Sequence, residues 1–177
     1  MLLSNFELLV KPIAPKPFSP SISRRVIQAY FLTISNLNPA GDDVVLSVQF
    51  TATAALRTED TFTIVDAGGS NVFGELSTDN NTGKPSQLLT LPAGSTTLFV
   101  LQPDISKPNF LEKADYEVRG YVEVLLSPFS PSPSAELLVS PQSRGTFVPT
   151  NLEDPNPDFD QQAYSLPTAS GGALLTL

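Results

Sequence analysis

Cysteine, histidine and tryptophan are absent from this sequence, and a single methionine occurs. Without cysteine there is no disulfide framework and no thiolate nucleophile. Without histidine the chain lacks the commonest general base and the commonest zinc ligand. Ser-His-Asp and Cys-His catalysis are therefore excluded. Charge is sparse as well. Charged residues make up 16% and hydrophobic residues 41% of the chain, both below the ~25% and ~45–50% of ordinary globular domains. Seventeen prolines fill part of that gap; they punctuate rather than pack.

Helical periodicity is missing too. The best short stretch, Asn109 to Ala114, is too short to stand alone. The uncharged run from Pro85 to Pro103 is broken by prolines, Gly94 and hydroxyls, so it reads as two strands rather than a membrane span. Met1 to Phe18 has no basic n-region, carries Glu7 inside its apolar run and lacks a cleavage site, so no secretory signal is expected. The cytoplasm or an assembled particle is the expected location. The net charge of −8 repels nucleic acid and anionic membrane surfaces, so neither nucleic-acid binding nor membrane insertion is expected.

What is present is alternation. In Asp115 to Ser127, Tyr116, Val118, Gly120, Val122, Val124 and Leu126 share one face, while Glu117, Arg119, Tyr121 and Glu123 share the other. A period of two predicts a strand with one dry and one wet face, and its length places it near the centre of a sheet. Arg25 to Asn36 is apolar on both faces, which predicts a strand covered on both sides. Asp43 to Ala55 alternates with Val44, Leu46, Val48 and Phe50 inward and Ser47 and Gln49 outward. Further strands are expected at Thr61 to Val65, Val72 to Leu76, Gln87 to Leu91, Thr96 to Gln102, Ala135 to Ser140 and Gly145 to Val148. Strands separated by Gly, Pro and Asn turns at this spacing predict an all-β antiparallel sandwich, immunoglobulin-like in the broad sense.

Three regions follow. Residues 1–23 hold four prolines within Pro12 to Pro20 and read as a basic, Pro-rich arm. Residues 24–148 read as the sandwich domain. Residues 149–177 read as a tail, acidic and then apolar, with strand candidates at Gln162 to Leu166 and Ala173 to Leu177.

Two features resemble bacterial immunoglobulin-like or fibronectin-III-like domains. Ser86 to Gln102 is similar to their strand, Pro-x-Gly turn, strand hairpin, and Asp115-Tyr116 opening a long strand is similar to the position of a tyrosine corner. The missing Cys pair and Trp exclude an antibody-type domain. The resemblance covers residues 24–148 and implies a fold, not an activity.

The candidate sites are few. Glu153, Asp154, Asp158 and Asp160 are four carboxylates in eight residues, but they lack the Asp-x-Asp-x-Asp-Gly calcium spacing. They read as a solvated or partner-facing acidic stretch. Thr82-Gly83-Lys84 lacks the upstream glycines and following helix of a phosphate loop and reads as a hairpin tip. Glu117, Arg119 and Glu123 have the spacing that alternation itself produces, which predicts cross-strand ion pairs; Tyr121 beside them marks a contact surface. No catalytic residue, metal or cofactor is expected.

The ends carry the strongest signal. Lys11, Lys16, Arg24 and Arg25 make the arm cationic, whereas Asp154, Asp158 and Asp160 make the tail anionic. Arm and tail are expected to meet, within one molecule or between neighbours, unless both ends are free. Phe6, Leu8 and Val10 in the arm and Leu174 and Leu175 in the tail would supply the apolar contact by adding to a sheet edge. The function expected from this pattern is non-enzymatic: a structural subunit of a larger assembly, such as a filament, a shell or capsid accessory or an injection-type apparatus, of bacterial or phage type. Its partners would be other copies or other subunits. The alternative is a loop-based binding module for a carbohydrate or a protein.

Overall fold

The computed structural model describes residues 1–14, 17, 24–54, 56–107, 110–149, 151 and 153–177. The fold is all-β and antiparallel. Its strands are β1 (Leu2–Pro12), β2 (Arg25–Asn36), β3 (Val44–Ala52), β4 (Thr61–Ala67), β5 (Ser70–Gly74), β6 (Ser77–Thr78), β7 (Pro85–Leu91), β8 (Thr96–Pro103), β9 (Tyr116–Leu126), β10 (Glu136–Val148), β11 (Asp160–Ser165) and β12 (Leu174–Thr176). A helical turn, α1 (Phe110–Lys113), falls within Asn109 to Ala114, the best short helical stretch of the sequence, and a 3-10 turn covers Thr58–Asp60.

The strands form one curled sheet in the order β5-β4-β8-β2-β1-β9-β3-β7-β6, with β10 on the other side of β2 and β11 and β12 along the outer edge of β10. The curl brings β3 and β8 together: the Phe50 and Phe99 rings stand 6.0 Å apart. Phe6, Tyr30 and Phe50 pack edge to face around the same point. Leu32, Ile34, Leu46, Val48, Leu101, Val122 and Val124 fill the rest of this core. Strand β9 behaves as its alternation predicts, burying Val118, Val122 and Val124 between β1 and β3. Strands β7 and β8 flank a turn in which Gly94 takes φ +72, a conformation that favours glycine.

Several expectations change. Residues 2–12 do not form an arm. They are β1, hydrogen-bonded to β9 along most of its length and to the start of β2 at its end. The proline run does stop the strand, but only after Pro12; before it, Phe6, Leu8 and Val10 alternate and are buried. The strands on either side of the boundary expected at residue 23, β1 and β2, belong to one sheet. The fragments expected on either side of Pro141 are a single strand, β10. Val139 donates to Ala173 O (2.8 Å), and Leu166 N donates to Pro141 O (2.9 Å). Odd-numbered residues here turn their backbone toward the tail, so the missing amide of Pro141 costs nothing in the ladder with β2.

Among the described residues, no element covers the second face of β2. Tyr30, Leu32 and Ile34 enter the core, while Phe31 on the other face is only half-buried. Conversely, Ser47 and Gln49 were expected to face water and are buried. The β6–β7 loop lies over them: Gln49 Nε2 donates to Asp79 Oδ2 (3.1 Å), and Lys84 bonds Glu123 on β9.

Candidate interaction surface

The sheet register aligns apolar residues across the face of β2 that points away from the core. Phe31 pairs with Val100, Val100 with Ile64, and Ile64 with Phe73. Phe62 leans on Phe73 with ring centroids 6.2 Å apart. Neighbours cover Val100 completely, Phe31, Phe62 and Ile64 are half-buried, and Phe73 is 68% exposed. At the inner end of the row the Arg144 guanidinium lies 4.2 Å from the Phe31 ring centre and donates to Gln142 Oε1 from Nε (3.1 Å) and Nη2 (2.9 Å). A cation on an aromatic face is held by the ring's negative quadrupole.

The row ends on β5. Among the described residues this strand pairs with β4 on one side only, and all five of its residues are exposed, with Val72 at 64%. Natural edge strands are usually guarded by Lys, Pro, bulges or a covering loop. Ser70-Asn71-Val72-Phe73-Gly74 contains neither charge nor proline. Sequence reasoning missed this surface. Its signal was the second apolar face of Arg25 to Asn36, for which a cover was assumed.

The residues expected to mediate contacts are dispersed. Phe6, Leu8 and Val10 are buried in β1, and Leu175 is buried in β12, so none presents a surface. Burial follows from their inward register: the same side chains that would anchor an added strand are anchoring this one. Leu174 is exposed, opposite Leu138 of β10. Lys11 pairs with Glu117. Lys16 lies outside the described residues. Arg25 sits at the end of β2, opposite Pro12 and Val148. Tyr121 is exposed on β9 with the Lys84 ammonium 5.9 Å from its ring centre. Asp154 caps its own loop by accepting from Asn156 N (2.9 Å).

Arg24 does meet the acidic tail, and it does so within one chain. Its Nη1 bonds Asp160 Oδ2 at 2.7 Å and lies 4.0 Å from Asp158 Oδ2, while Nη2 donates to the carbonyls of Asp158 (2.9 Å) and Phe147 (3.1 Å). The tail strands expected at Gln162 to Leu166 and Ala173 to Leu177 correspond to β11 and β12 on the edge of β10.

The wet face of β9 is an ion-pair ladder. Arg119 bonds Glu7 directly opposite it and also Glu117, and Glu117 bonds Lys11. Lys84 is held above the usual lysine range by its hydrogen bond to Glu123. Asp79 is held below the usual carboxylate range by the backbone N–H groups of Thr82 and Asn81, which fix the β6–β7 loop. Tyr116, placed like a tyrosine corner, does not act as one. Its ring packs on Phe110 at 5.3 Å, and its buried hydroxyl has no hydrogen-bond partner among the described residues. Burial raises its pKa.

No family model and no curated protein matches this chain.

Proposed function

We propose that this protein is a non-enzymatic structural subunit of a larger assembly and that its neighbours join it at the β5 edge. The observation that carries this reading is the uncharged, one-sided strand β5, with Val72 and Phe73 exposed at the end of an apolar row. An antiparallel contact between two copies centred on Val72 sets Val72 against Val72 and Asn71 against Phe73. No like charges oppose each other. The net charge of −8 keeps copies apart elsewhere, so contact is favoured where charge is missing. The fold that accompanies this reading is a β-sandwich. Its leaves are β5-β4-β8-β2-β10 and β1-β9-β3-β7-β6, joined where β1 runs onto β2; the Phe50–Phe99 contact and the bond from Thr63 Oγ1 to Gln87 Oε1 (3.2 Å) support it.

Strand exchange at the tail is a second route to the same role. All six residues of β11 are exposed, and β11 and β12 hold β10 by strand addition. A neighbour's tail would make the same ladder.

Light scattering on the full chain tests both routes. A species larger than the monomer is expected, and Phe73→Lys should shift it toward the monomer with the melting temperature unchanged. Loss of the oligomer on deleting 160–177, but not in Phe73→Lys, would assign the contact to the tail. A monomer at every concentration overturns self-assembly.

A further inference from the structure

A second site lies away from the β5 edge and does not depend on the assembly reading. A cleft of about 270 Å³ opens where β1 and β9 face β10 and the tail. Six polar side chains line it: Asn5, Glu7, Gln28, Arg119, Ser143 and Tyr164. Gln28 Nε2 donates to Glu7 Oε2 (2.7 Å), the Tyr164 hydroxyl donates to Gln28 Oε1 (3.3 Å), and Arg119 bonds the other oxygen of Glu7. Ser143 is 2% exposed, and its Oγ has no hydrogen-bond partner among the described residues. Phe6 and Leu166 supply apolar wall.

A buried hydroxyl left unpaired is unfavourable by about 1–3 kcal/mol. On the wall of an open cleft it is a place for a ligand's polar group. The other groups narrow the ligand class. Glu7 and Arg119 neutralise each other, so the site carries no net charge that would select an ion. Gln28, Ser143 and Tyr164 offer uncharged donors and acceptors. The apolar wall suits a ring with a C–H face. The volume falls below the roughly 300–1,000 Å³ of drug-sized pockets, which limits the occupant to one ring. We propose that this cleft binds a neutral, hydroxyl-rich small molecule of the size and chemistry of a single monosaccharide.

The tail is part of the site. Tyr164 lies on β11 and Leu166 just beyond it, so the cleft has the Tyr164 hydroxyl and the Leu166 part of its apolar wall only when β11 is paired with β10.

The test is an amide-resolved NMR titration of the full chain with glucose, galactose, mannose and N-acetylglucosamine, and with glycine as a zwitterionic control. At least one sugar should give saturable shifts at the amides of Gln28, Gly120, Ser143 and Tyr164. Ser143→Ala and Tyr164→Phe should each weaken that binding roughly tenfold, the effect of one lost hydrogen bond at its upper range, with the remaining spectrum unchanged. Tyr164→Phe removes only an oxygen from an exposed residue, so it reports even if Ser143→Ala disturbs packing. Absence of saturable shifts with all four sugars overturns the proposal. So does binding that Tyr164→Phe leaves intact, or saturable binding of glycine alone.

Discussion

Gly120 stands opposite Phe6 across the β1–β9 ladder, and the Phe6 ring occupies the space that a side chain at 120 would need. A Cβ there would lie 2.9 Å from Phe6 Cε1, 2.8 Å from Ala52 Cα and 2.0 Å from the Thr51 carbonyl oxygen. Two of these obstacles are backbone atoms of the neighbouring strand β3, so a rotamer change cannot relieve them. Gly120→Ala should destabilise the fold by at least the ~1–3 kcal/mol of a core overpacking. Denaturant unfolding of the variant is the measurement. A loss below ~0.5 kcal/mol would show that the sheet can part at this point.

Asn36 is fully buried and saturates its amide. Nδ2 donates to the carbonyls of Leu91 (3.1 Å) and Asp42 (3.2 Å), and Oδ1 accepts from Asn38 N (3.0 Å). Asn36→Asp turns a carboxylate toward two carbonyl oxygens. Destabilisation of about 3 kcal/mol is expected at neutral pH. Burial and the two carbonyls would raise the folded pKa of the new carboxyl above the ~3.9 of a free aspartate. The remaining stability is then fully present below about pH 4 and is lost as pH rises through the folded value. The deficit against the parent chain should shrink on acidification, which melting curves from pH 3 to 7 would reveal.

Burial raises the pKa of the Tyr30 phenol, and the Ser4 hydroxyl 3.0 Å away opposes this only weakly. The folded state thus holds the proton more tightly than the unfolded chain, whose tyrosine titrates near 10.0. Stability is whole below that pH and falls as pH rises above it toward the folded value. Tyr30→Phe should lose about 1 kcal/mol at pH 7 with the Ser4 contact and show a flatter decline above pH 10. Equal slopes in parent and variant would place the alkaline loss elsewhere.

Arg24 ties the end of β10 to the beginning of β11 through Phe147, Asp158 and Asp160. The bond to Asp160 is exposed, so its contribution is small, within ~0–1 kcal/mol. Its effect should be local. Arg24→Ala is expected to speed amide exchange in 160–165 several-fold while leaving β9 unchanged. Unchanged exchange in β11 would mean that the β10 ladder alone holds the tail.

The core was legible where neighbours in sequence are neighbours in space. The alternation of β9, the position of β3, the turn at Pro92-Ala93-Gly94 and the short tail strands are local patterns, and they appear where expected. The place of β1 was not legible. The pattern of Phe6, Leu8 and Val10 marks a strand, but its main partner begins at Tyr116, and no local rule connects the two. Pro141 divided β10 for a related reason: whether a missing amide matters depends on which side of the strand carries a partner. The β5 surface was hidden by a default, because an apolar second face on β2 normally implies a cover. The charge contrast between Arg24 and the tail acids was visible in the sequence, although only the fold could place both in one chain.

The position of β1 also bears on how the chain is made. Strand β1 leaves the ribosome well before its main partner: Phe6 lies opposite Gly120, and Val10 opposite Tyr116. β2 offers it only the short ladder from Leu9 to Pro12. Until β9 is synthesised, the residues of β1 before Leu9, Phe6 and Leu8 among them, lack their ladder partner. Long-range closure of this kind slows folding, and an unpaired apolar strand invites misassociation in the meantime. A nascent chain that stops short of β9 should therefore be a client for chaperones rather than a folded intermediate.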